Sequence, residues 1–111
     1  MNKFNIQEVT KSCRQMNCNE TLQLLKTQPF KVMSWGANNY TNIENKALKF
    51  KVQAHRHKGY IYITVNGNDL YDVYLVSTHN NLVKEFKDIF FEDLVNTIDT
   101  EIEYIKDYKD N

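Results

Sequence analysis

ALKFKVQAHRHKGYIYITVNGNDLYDVYLVS, residues 47–77, decides the fold. Leu48, Phe50, Val52 and Ala54 alternate with Lys49, Lys51, Gln53 and His55, the two-residue period of a strand with one buried face and one solvated, basic face. Lys58-Gly59 predicts a hairpin turn, after which Ile61, Ile63 and Val65 oppose Tyr60, Tyr62 and Thr64. Asn66-Gly67 is the strongest short hairpin signal in the chain. It leads into a strand with Tyr71, Val73 and Leu75 on one side and Leu70, Asp72, Tyr74 and Val76 on the other. Strands joined in this way form an antiparallel meander.

The flanks complete the domain. After STHNN at 77–81, Leu82, Val83 and Phe86 fit either a helical or a strand period, and the stretch 82–87 is read as a fifth strand. From Phe90 onward, Phe91, Leu94, Val95, Ile98, Ile102 and Ile105 make an apolar helical stripe beside Glu92, Asp93, Asp99, Glu101 and Glu103. Toward the N-terminus, FKVMSW (Phe30–Trp35) reads as a strand that SWGANNY (34–40) turns out of. Ile6, Val9, Cys13 and Met16 recur at helical spacing. Asn17 and Glu20 open a second helix over Cys18–Thr27 that buries Leu22 and Leu25, with Gln28-Pro29 as its stop. The expected fold class is α+β, an antiparallel β-meander of about five strands with two short N-terminal helices and one C-terminal amphipathic helix packed on it.

At 111 residues, 41% hydrophobic, the chain is read as a single domain, 1–111, with a core that needs no disulfide or metal staple. Its longest apolar clusters, such as YIYI at 60–63, are too short to span a bilayer, so a soluble cytoplasmic protein without a membrane partner is expected. Cys13 and Cys18 suit neither a disulfide framework nor redox or zinc spacing, and are read as reduced thiols. Net charge is zero, yet residues 1–59 hold ten Lys/Arg against three Asp/Glu, while residues 60–111 hold four against eleven. Such a division hints at an interaction surface if folding keeps the halves apart, which the sequence leaves open.

FKVMSWGANNY, then LKFKV, then KGYIYITVNGNDLYDVYLV resembles a family of small uncharacterised proteins carried by phages, plasmids and other mobile elements. Met33, Ser34, Gly36, Ala37, Asn39 and Tyr40 fill its M-T-G-A-K-N-F-like segment, with Trp35 as an insertion. Lys58, Gly59, Ile63, Thr64, Asn66, Asp69, Leu70, Tyr71, Asp72 and Val73 fill its second segment, whose N-x-x-D-L-Y-D-V part is the most specific. The resemblance covers roughly residues 20–105 and departs at HRH (55–57) and in the acidic tail. It implies a phage or mobile-element accessory protein and brings with it no reaction and no cofactor.

The chemistry-bearing groups are weighed on that background. His55, His57, His79 and the two cysteines do not converge at zinc spacing, so no metal is expected, and His55 and His57 are read as exposed hairpin-end residues. Asp69 and Asp72 pair as carboxylates only if the turn at 66–67 does not use them for local hydrogen bonds or a cross-strand lysine. No catalytic motif is found, so no catalytic residue and no enzyme activity are assigned. SWGANNY is either a structural corner or, through Trp35, Asn38, Asn39 and Tyr40, a binding loop. Glu92, Asp99 and Glu103 of the acidic helix are the other candidate contacts for a host or phage protein. The expected function is therefore non-enzymatic binding of such a protein, with inhibition of a host defence system as the candidate outcome. The alternative is a small nucleic-acid-binding module using Lys49, Lys51, His55, Arg56, Lys58, Tyr60 and Tyr62. A homodimer through an edge strand, 30–35 or 82–87, is the open oligomeric choice.

Overall fold

The computed structural model describes residues 3–103. Three short helices precede the sheet, one more than expected. In α1 (Ile6–Ser12) the Asn5 side chain accepts from the backbone N–H groups of Gln7 and Glu8; in α2 (Cys18–Leu25) Asn17 does the same for Asn19 and Glu20. These caps satisfy amides that have no partner inside the helix. The third helix, α3 (Pro29–Ser34), stands where a strand was expected. Proline excludes Gln28 from helical geometry, yet its own fixed φ and missing N–H suit the first helical position, so Pro29 separates α2 from α3 and also starts α3.

The sheet has the order β1-β2-β3-β4-β5, with every neighbouring pair antiparallel. Its strands are β1 (Asn38–Ile43), β2 (Ala47–Gln53), β3 (Lys58–Val65), β4 (Tyr71–Ser77) and β5 (Leu82–Ile89). The meander of five strands is thus as expected, but its first member is 38–43 and not 30–35. NNYTNI is almost wholly exposed and is held by backbone pairing to β2, with a bulge between Asn38 and Thr41, so no apolar alternation marks it. Two turns also differ from expectation. The β2–β3 turn spans Ala54–His57, closed by Ala54 N–H to His57 O at 3.0 Å, and Gly59 lies inside β3 opposite Ser77. The β3–β4 loop runs from Asn66 to Leu70, with Asp69 in the left-handed region and the Asn66 side-chain oxygen accepting from the backbone N–H groups of Asn68 and Leu70.

Both sheet faces are covered. On one, Leu48, Phe50, Val52, Ile61, Ile63, Val73 and Leu75 pack with Leu25, Trp35, Leu94, Val95, Ile98 and Ile102. On the other, Phe4 and the α1 residues Ile6 and Val9 lie on Tyr62, Tyr74 and Val76. The expected continuous stripe Ile6–Val9–Cys13–Met16 is therefore split. The helix ends at Ser12, Arg14 bridges to Val65, and Met16 is buried in the opposite core from Ile6 and Val9. At the other end a 3₁₀ turn (Phe91–Asp93) leads into α4 (Leu94–Ile102). Leu94, Val95, Ile98 and Ile102 are buried as the stripe requires, whereas Phe91 is exposed; Ile105 lies outside the described residues. No helix is long and apolar enough to cross a membrane among the described residues.

Candidate interaction surfaces

Gly36 (φ 65°) makes the corner between α3 and β1, and Trp35, just before it, is fully buried. The indole Nε1–H donates to Asp99 Oδ1 at 3.0 Å, and the Trp35 carbonyl accepts from Gln53 N–H at 2.8 Å. Trp35 therefore ties α3 to α4 and to the end of β2, and is withdrawn as a contact residue. Asn38 and Asn39 are exposed on β1, with Asn39 in the left-handed region and the Asn38 amide donating to Gly36 O. Tyr40 is partly exposed and lies 5.2 Å from the Phe50 ring, centroid to centroid. Two of the acidic candidates are also engaged within the chain. Asp99 holds the indole, and Glu103 accepts from His55 N–H and pairs with its imidazole. Of the three, Glu92 alone is exposed without such a contact among the described residues.

The basic candidates divide in the same way. Register places Lys49 opposite Tyr62, Lys51 opposite Tyr60, and Lys58 opposite Gln53, all on the α1 side of the sheet. The Lys49 ammonium sits 4.5 Å from the Tyr60 ring centroid and 5.6 Å from that of Tyr62, a cation–π arrangement. Tyr62 itself is buried beneath Phe4, with ring centroids 4.7 Å apart, and offers no face to a ligand. His55 and Arg56 are exposed in the hairpin turn at the sheet's end. Alternation along β2 answers the charge question only for the acidic helix, since Asp72 and Glu85 share the α1 side with the lysines. Leu48, Phe50 and Val52 point to the core shared with α4, so the acidic helix lies across the sheet from Lys49 and Lys51.

His57, expected to be exposed, is buried, with Nε2 donating to Tyr60 O at 3.2 Å. Burial lowers its pKa, outweighing the backbone carbonyls of Tyr60 and Val76, which favour the charged ring. The unfolded chain thus binds a proton more readily than the folded one. The stability held above the unfolded value of about 6.5 is progressively lost as pH falls below it. Urea midpoints measured from pH 7.5 down to 5.5 are expected to fall in the native chain and to flatten in His57→Gln; an unchanged slope in the variant would assign the effect to other groups.

Beneath α1, a cleft of about 260 Å³ is lined by Cys13, Thr64, Asp72, Tyr74 and Glu85 among others. Asp72 is buried and pairs with no lysine among the described residues; its Oδ1 accepts from the Asn66 side-chain amide at 2.8 Å and from Asp88 N–H at 3.0 Å, pinning the β3–β4 loop to β5. Asp69 is exposed and meets Arg14 at 3.2 Å, so the two aspartates do different structural jobs. Burial, then the charges of Asp72 and Glu85, push the Tyr74 phenol up to about 12. Thr64 Oγ1 is buried outside hydrogen-bond geometry, yet near enough to the Tyr74 phenol to oppose that rise in part. Burial raises both cysteine thiols, the direction opposite to that of a reactive thiolate.

The largest outward apolar groups were not singled out by the sequence. Phe30 is 85% and Met33 73% exposed, one turn apart on the outer side of α3, while Val32 packs against the core. Phe90 and Phe91 add exposed rings at the start of the C-terminal helical segment. In helix α3 the same residues that alternate as a strand rotate onto an outer face, which only the three-dimensional path reveals. Comparison with family models, with curated proteins and with solved structures finds no match to this chain.

Proposed function

We propose that the chain is a non-enzymatic binding protein that docks on another protein through the outer face of α3. The observation that carries this reading is the Phe30–Met33 pair, two large apolar side chains left in solvent on a helix whose other face is packed. Aromatic and Met side chains are enriched at protein interfaces, and a helix presenting them at i and i+3 fits an apolar groove. Phe90 and Phe91 belong to the same helical layer, where α3 meets α4 through Lys31–Asn96 at 2.6 Å. The resemblance to mobile-element proteins suggests the class of partner, a host or phage protein, with inhibition of a host defence system as one candidate outcome.

The test is affinity capture with nuclease present, using the native chain and Phe30→Gln/Met33→Gln in parallel. Both positions are exposed, so the variant is expected to fold with stability within about 0.5 kcal/mol of native. A partner held by the native chain and weakened by roughly 30-fold or more in the variant supports the reading, since two interface anchors commonly exceed 2 kcal/mol together. Equal retention by both forms, or capture of nothing but a second copy of the chain, overturns it.

A further inference from the structure

The α1 side of the sheet carries a second surface, independent of α3. Lys49 and Lys51 follow one another on the same face of β2, and Lys58, beside Gln53, extends the line toward the hairpin end. Two strand residues advance about 6.6 Å, so the three ammonium groups are anchored at a repeat comparable with the phosphate spacing of an extended polynucleotide strand. None of the three lies within ion-pair distance of a carboxylate among the described residues. The acid-rich α4 lies across the sheet, where it opposes an approaching anion least.

We infer that this face holds the phosphate backbone of a single-stranded nucleic acid. A line of cations lying along the sheet surface projects no helix or ribbon to enter a duplex groove, and single strands are bound by tracking the backbone along such a surface. Lys49 covers the Tyr60 ring, so Tyr60 orients the lysine and the contact is tolerant of base sequence. The exposed polar strand β1, with Asn38, Asn39 and Thr41, borders the same line and supplies neutral hydrogen-bonding groups.

Fluorescence anisotropy with a labelled fifteen-residue oligothymidylate tests this on the full chain. Three neutralised phosphates predict an affinity that drops about 20-fold between 50 and 200 mM salt. Lys49→Ala/Lys51→Ala/Lys58→Ala is expected to weaken binding at least tenfold and to remove most of that salt dependence, with its thermal unfolding unchanged. Phe30→Gln/Met33→Gln should bind the oligonucleotide as the native chain does, which separates this surface from the protein-docking face. No saturable binding by the native chain, an unaffected lysine variant, or equal affinity for polyglutamate of matched charge would each overturn the inference, the last by assigning the face to acidic proteins.

Discussion

Gly59→Ala is expected to destabilise the domain by about 3–5 kcal/mol, enough to leave a substantial fraction unfolded if native stability is at the low end of the usual 5–15 kcal/mol range. Gly59 lies within β3 at φ 152°, a conformation that L side chains rarely adopt. A Cβ there would stand 2.3 Å from the carbonyl oxygen of Val76 and 3.1 Å from the Ser77 backbone. Those atoms belong to β4, paired on both sides in the middle of the sheet, so they cannot retreat without breaking the Gly59–Ser77 register. The backbone strain costs about 1–3 kcal/mol and the forced overlap a similar amount. Urea unfolding followed by circular dichroism measures the loss. A cost below about 1 kcal/mol would mean that β4 can shift here, and that Gly59 behaves as the turn residue its Lys58-Gly59 setting suggests. Gly67, with open space around it, is the matching control.

The contrast between those two glycines extends to the parts of the fold that are legible in the sequence. Strand β2 buries its apolar side chains in alternation, and β3 and β4, covered on both faces, are marked instead by dense β-branched and aromatic runs bounded by turn residues. The caps at Asn5 and Asn17 are local backbone chemistry, and Asn17 is marked in the sequence by Glu20 three residues on. In β1, by contrast, the pairing partner and not burial makes the strand, and five of its six residues face solvent. In α3, six residues are too few for periodicity to distinguish a helix from a strand, and the decisive feature is Pro29 acting as a start. Covering of the Tyr62–Thr64 face also escapes a local reading. It depends on where α1 crosses the sheet, set by contacts such as Phe4 N–H to Asn80 O at 2.8 Å and Arg14 N–H to Val65 O at 2.8 Å.

Site residues follow the same logic. Lys49 and Lys51 were legible because strand alternation fixes their face. Tyr62 was lost to the N-terminal segment, and Asp99 and Glu103 to partners far away in sequence, Trp35 and His55. Phe30 and Met33 could have been found only by recognising a proline-initiated helix and asking which of its faces has nothing to pack on.

Trp35 carries the second large expectation, because it separates a structural corner from a binding loop. Trp35→Ala should cost about 3–5 kcal/mol, the usual penalty for emptying a buried aromatic site, and it also leaves Asp99 without its indole donor. Trp35→Phe keeps most of the packing and should cost less, about 1–3 kcal/mol, chiefly through that lost hydrogen bond and the smaller ring. Combining each change with Asp99→Ala isolates the pair, and a coupling of about 0.5–3 kcal/mol is expected for groups in direct contact. As the single tryptophan, Trp35 reports on itself: its native emission should be blue-shifted and move to the red only with global unfolding. The same Phe variant, once shown to be folded, should capture the α3 partner as well as the native chain does. Lost capture with undiminished stability would instead make the indole a contact residue and return SWGANNY to the interface, whereas lost stability with retained capture leaves it as the joint on which α3 is mounted.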